Sequence, residues 1–197
     1  MATLFSHLRR PPFASLVARF LRDQKGAVIA EAVIVLPVML WAYLALFVYW
    51  DAFRSMNTVQ KAAYTISDMV SREMVGITTA YVNGLDNMLE YLVDNSQTVS
   101  LRVTSVTWSV ANNRFEVHWS RSPDNAKPVL TTGTLQNYSG QIPNMTAGDY
   151  VVIVEVWANY APSFEVGMED MVFNQFIVTR PRFLPCIPMD AVACPVT

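Results

Sequence analysis

Between Ala27 and Trp50 nearly every side chain is apolar, and the single charge is Glu31. About 24 such residues make roughly 36 Å of helix, enough to cross a bilayer core. A secretory signal core is shorter, about 7–15 residues, and ends in a small-residue cleavage site that is not evident here. The run therefore predicts one transmembrane helix over residues 27–50. Beyond Trp50 the pattern turns amphipathic. Ala52, Met56, Val59, Ala63, Ile66 and Val70 recur at alternating spacings of four and three. That stripe predicts helix to about Val75, with Gly76 as C-cap and the apolar side packed into a globular core. A single helix of this extent is roughly 70 Å long, its first half in lipid and its second half against protein.

The remaining pattern predicts one more helix and four strands. Thr78 or Thr79 caps a helix with Tyr81, Leu85, Met88, Leu89 and Leu92 on one face, ended by Asp94-Asn95-Ser96. From Val99 the period becomes two. Val99, Leu101 and Val103 are followed out of phase by Val106, Trp108 and Val110, which predicts a bulge near Thr104-Ser105. Ala111-Asn112-Asn113 supplies turn chemistry, and Phe115, Val117 and Trp119 form one face of a returning strand. Residues 121–148, broken by Pro and Gly, read as a long connection with a short element near Val129–Tyr138. Tyr150–Tyr160 is apolar on both faces and is expected to be central; Val172–Thr179 is the fourth strand. The expected fold class is α+β: a single-pass membrane protein whose long N-terminal helix packs on a small, mostly antiparallel sheet.

Charge orients this layout. Before the span lie Arg9, Arg10, Arg19, Arg22 and Lys25 against Asp23 alone; just after it Asp51 and Arg54 balance. The positive-inside bias puts residues 1–26 in the cytoplasm as a leader and residues 51–197 outside it. About 145 residues remain for that domain, enough for one core. With a net charge of −2 and no basic stripe interleaved with aromatics, nucleic acid is not an expected partner. Cys186 and Cys194 fall in the exported part. Oxidising conditions there favour a disulfide over two free thiols, and the chain-entropy model values so short a loop at about 2–3 kcal/mol.

A basic flank, then Gly26-Ala27-Val28-Ile29-Ala30-Glu31, with Pro37 in the span and Gln60-Lys61-Ala62-Ala63-Tyr64 after it, resembles the TadE/TadG-like pseudopilins of tight-adherence (Flp-type) pilus systems, which share a type IV pilin-like N-terminus. The resemblance covers about residues 19–75, and it departs from many members in having Ala32, not Phe, after the Glu. It implies a pilin-like fold in the bacterial inner membrane, with the domain in the periplasm. It further implies cleavage by a prepilin peptidase between Gly26 and Ala27, and docking of Glu31 on the new amino terminus of a neighbouring subunit. Membrane lipid, the peptidase, other pilin or pseudopilin subunits and the assembly proteins are the implied partners. An anchored periplasmic binding or sensor module is the alternative.

Catalytic chemistry finds little support. Of the two histidines, His7 lies in the leader, and His118 alternates with an apolar face and is expected to point to solvent. One usable histidine makes neither a Ser-His-Asp triad nor a His-rich metal site. Asp94-Asn95-Ser96-Gln97-Thr98 matches the Asp-x-Ser-x-Thr metal-ion-dependent adhesion motif of von Willebrand A-type domains, but it follows a helix and precedes a strand, the reverse of that context. It is read as a helix C-terminal turn. No enzyme activity, cofactor or metal is expected.

Overall fold

Helix α1 runs from Lys25 to Ser71 in the structure, a computed structural model that describes residue 17, residue 22, residues 25–93 and residues 97–195. The leader expected over residues 1–26 falls largely outside the described residues. Pro37 lies inside α1, where it removes the amide that would bond the Val33 carbonyl. The chain forms two compact units that divide between Phe47 and Val48. In the first, nearly all of the apolar helix surface is exposed, and from Val28 onward α1 is long and apolar enough to cross a membrane.

The second unit is α+β. Helix α2 (Thr79–Leu92) follows α1, then strands β1 (Val99–Ser109) and β2 (Arg114–Arg121), the short helix α3 (Thr132–Leu135), and strands β3 (Tyr150–Tyr160) and β4 (Met171–Thr179). The sheet is wholly antiparallel in the order β2-β1-β3-β4, so the strand with two apolar faces is interior. On one face Val59, Ala63, Ile66 and Val70 of α1 and Val82, Leu85 and Leu89 of α2 meet Leu101, Val103, Val152, Val154 and Val156. Most of the α1 stripe is thus core; Met56 remains 43% exposed. The opposite face carries a second cluster, in which Val106, Phe115, Val151 and Ile153 are covered by Leu130, Leu135, Ile142 and Met145 of the long connection.

The expected bulge falls where the β1 pattern put it, between Ser105 and Val106 in the β1–β2 pairing, but the extra residue is not in β1. Strand β1 pairs with β3 in unbroken register from Val99↔Ala158 to Thr107↔Tyr150, so its side chains alternate regularly. Its apolar set changes phase because Val99, Leu101 and Val103 face the helices while Val106 and Trp108 face the connection. The extra residue is in β2: Ser105 pairs with Trp119 and Val106 with Val117, which leaves His118 without an opposite number. That insertion turns Trp119 to the helix side, away from the face shared by Phe115 and Val117.

Helix α1 also stops earlier than its pattern predicts. Ser71 Oγ donates to the Asp68 carbonyl at 2.8 Å, Arg72 N to the Asp68 and Met69 carbonyls, and the Ser71 carbonyl accepts from Arg182 N at 2.8 Å. The chain leaves the helix there to bury Ile77, whose amide donates to the Pro188 carbonyl at 2.8 Å. Gly76 lies five residues beyond the end of α1 and so is not its cap; a Cβ there would lie 3.2 Å from Pro188 Cγ, a tight contact that glycine avoids. Thr78 is the N-cap of α2, its side chain accepting from Tyr81 N.

One buried ion pair crosses the sheet. Arg102 and Glu155 sit opposite each other on β1 and β3, with side chains 7% and 1% exposed. Arg102 Nε and Nη2 each donate to a Glu155 oxygen at 2.7 Å, Nη1 donates to the Pro128 carbonyl at 2.5 Å, and the guanidinium lies 5.0 Å from the Trp157 ring centroid. Removing one partner strands a buried charge. Glu155→Ala should therefore cost about 3–5 kcal/mol, whereas Arg102→Met with Glu155→Leu together should cost far less. Denaturant unfolding of the detergent-solubilised chain, followed by tryptophan fluorescence, measures both.

Asp86 of α2 is a half-buried acid with no basic group among those that perturb it. Burial foremost, then the Glu90 and Asp124 carboxylates, push its pKa up to about 6 from 3.8, and its Oδ1 is buried without a hydrogen-bond partner. The folded state then holds this proton more tightly than the unfolded state. Its stabilisation is full below about pH 4 and lost as pH rises through about 6. Asp86→Asn should raise the thermal midpoint at pH 7.5, and the gain should shrink toward zero at pH 4.

Candidate functional site

The residues marked out by the sequence fall in both units. Gly26, Ala27 and Glu31 lie in the first two turns of α1. Gly26 is exposed, with nothing within 4 Å of a Cβ added there. Glu31 is also exposed, and no ion pair involving it occurs among the described residues. Around it the helix surface is Val28, Ile29, Val33, Ile34 and Leu36, each 64–70% exposed. A carboxylate on so apolar a helix is costly in lipid unless it reaches the interface or a cationic partner.

The second unit contains a cleft of about 880 Å³ that the sequence does not announce. Asp51, Arg54, Ser55 and Thr58 of α1 form one wall, and Tyr160 with the start of β4 another. The Tyr160 hydroxyl donates to Asp51 Oδ2 at 3.0 Å; burial first, then that carboxylate, push its pKa up to about 12, so it stays protonated across physiological pH. Gln97 Nε2 donates to Ser55 Oγ, while Gln97 Oε1 is buried without a partner. The lining offers hydrogen bonds and both signs of charge.

Cys186 and Cys194 are joined by a disulfide, with Cα atoms 6.0 Å apart. The loop between them is tied to three elements. Trp119 Nε1 of β2 donates to the Ile187 carbonyl at 2.8 Å, Ile77 N to that of Pro188, and Thr79 N and Oγ1 to the Asp190 carboxylate, the latter at 2.6 Å. Ile187 and Met189 are part of the core facing α1 and α2. His118 does not point away from the protein as expected. The β2 bulge sets it half-buried against this loop, with Nε2 3.1 Å from the Ala193 carbonyl oxygen and Nδ1 3.9 Å from Cys186 Sγ.

Asp94 and Ser96 of the Asp-x-Ser-x-Thr match lie outside the described residues. Among the described residues, no group of three or more His, Cys, Asp or Glu side chains is placed to hold a metal ion. Sequence reasoning passed over Arg102 and Glu155, although each is the lone charge in an apolar strand, the usual sign of a buried pair. It also passed over the Asp51–Tyr160 contact, which joins residues 109 apart in sequence and has no local signal. No protein-family model, curated protein or solved structure matches the chain.

Proposed function

We propose that the chain is a minor pilin or pseudopilin-like structural component in the assembly of a tight-adherence, Flp-type pilus, and not an enzyme. The observation that carries this reading is α1 itself. One helix presents a bare apolar surface interrupted by a single acid at its start, and farther along it supplies the core of an α+β unit. The basic flank and the Gly26-to-Glu31 spacing add the processing and docking signals by resemblance. In this reading α1 anchors the chain in the bacterial inner membrane, with the leader in the cytoplasm and residues 51–197 in the periplasm. A prepilin peptidase cuts between Gly26 and Ala27. The Ala27 amine and Glu31 then guide docking on other pilin or pseudopilin subunits, the ion pair offsetting part of the desolvation of both charges. The cleft beside Asp51 and Tyr160 favours the second reading, an anchored periplasmic binding or sensor module without an assembly role.

Processing and the Glu31 variants separate these readings, and a fusion tests the orientation that both share. N-terminal analysis of the protein from native membranes should find Ala27 first in cells with a prepilin peptidase, and the longer chain in cells without one. Retention of the leader in both favours the anchored module. A C-terminal alkaline phosphatase fusion should be active; an inactive fusion at normal abundance reverses the orientation. Glu31→Ala and Glu31→Gln should leave membrane insertion and protein level intact while pilus assembly fails. Normal piliation by both variants removes the docking role.

A further inference from the structure

We propose that His118 is an internal base for closing the Cys186–Cys194 disulfide. Four observations converge on it. First, the ring is aimed by the β2 bulge, whose extra residue is His118 itself; a bulge bends its strand locally and re-aims the side chain it carries. Second, the Ala193 carbonyl can only accept, so in the neutral ring Nε2 carries the proton. That leaves the Nδ1 lone pair toward Cys186 Sγ, 3.9 Å away, where a reduced Cys186 would present its S–H. Third, the loop is positioned by contacts other than the disulfide. Ile187 and Met189 are in the core, and the Trp119, Ile77 and Thr79 hydrogen bonds hold residues 187–190. Fourth, the two sulfurs differ in access: Cys186 is 5% exposed, whereas Cys194 is half-buried. Among the described residues, the titratable groups in contact with the ring are Cys186, once reduced, and Tyr150, whose ring meets it edge-on at 5.4 Å. No ion pair of His118 with an acidic side chain occurs among the described residues.

The chemistry uses a disulfide oxidant, either a small one or a protein with an exchangeable disulfide. The more accessible Cys194 thiolate attacks it first, forming a mixed disulfide and releasing one oxidant thiolate. His118 Nδ1 then takes the proton of the Cys186 thiol. The Cys186 thiolate attacks Cys194 Sγ, the Cys186–Cys194 bond forms, the mixed disulfide breaks, and the second oxidant sulfur leaves as thiolate with the bonding pair. The imidazolium returns its proton to that thiolate or to water. The two cysteines are oxidised by two electrons and the oxidant is reduced by two.

The test is a pH profile. Reduced full-length chain in detergent micelles is mixed with oxidised glutathione, quenched in acid, alkylated and resolved by mass into reduced, mixed-disulfide and closed species. The closure step is compared for the wild type, His118→Asn and His118→Gln between pH 6 and 9. If the imidazole lowers the thiol pKa by about two units from about 8.5, the thiolate gain at pH 6 is offset by weaker nucleophilicity to a net advantage of about tenfold. The same relation gives about threefold at pH 7 and a reversal above about pH 7.6. The profiles should therefore cross. Parallel profiles, including uniform slowing of both variants, overturn the proposal. A second measurement leaves His118 in place: in Cys194→Ser, iodoacetamide alkylation of Cys186 should show an inflection near pH 6.5, and one near 8.5 overturns the proposal whatever the His118 variants do.

Discussion

Burial of the β1–β3 pair on both faces is the constraint from which the architecture of the second unit follows. Val151 to Val156 of β3 are all buried, so at the middle of the sheet neither face meets water. One face takes the apolar stripe of α1 and the inner side of α2; the other takes the 122–148 connection, pinned through Leu130, Leu135, Ile142 and Met145. That second cover is made of short helical turns and not a regular layer, because the prolines and glycines of this segment break longer elements. Arg102 and Glu155 are buried on adjacent strands of this sheet. Each neutralises the other's charge, and the Pro128 carbonyl takes a further guanidinium donor. Hydrogen bonding and aromatic contact make such a pair tolerable in a low-dielectric site, where either charge alone would be costly.

The bulge in β2 connects this sheet to the disulfide loop. Without the extra residue, Trp119 would share the face of Val117 and could not give its indole N–H to the Ile187 carbonyl. With it, one side chain joins the helix-side core and its neighbour meets the sulfur. One inserted residue therefore both brings the Trp119 hydrogen bond to the 187–190 segment and orients His118.

Much of this was legible in the sequence because it is local. The period of the apolar positions located both helices and all four strands, and the two-faced character of Tyr150–Tyr160 marked it as interior. The errors share one cause: they depend on partners distant in the chain. A phase change in β1 signals either a bulge or a second covered face, and only the register with β3 distinguishes them. Met74 continues the α1 stripe, but the demand of Ile77 for Pro188 ends the helix first. His118 alternates correctly for solvent in an unbroken strand, and the break lies in its pairing with β1. The Asp51–Tyr160 cleft is likewise made from segments that no sequence window contains together.

The contacts of the 187–190 segment also set an order of events. Asp190 binds Thr79 across 111 residues, and Ile187 and Met189 fill space between α1, α2 and the sheet. Both helices and the entire sheet precede that segment in the chain, so during synthesis they emerge with a gap in their core. Closing contacts of such long range is slow, and a surface left open meanwhile is prone to aggregate. The unit can reach its final packing only after residue 190 has been made, so folding of this domain waits for the 187–190 segment and does not keep pace with the ribosome.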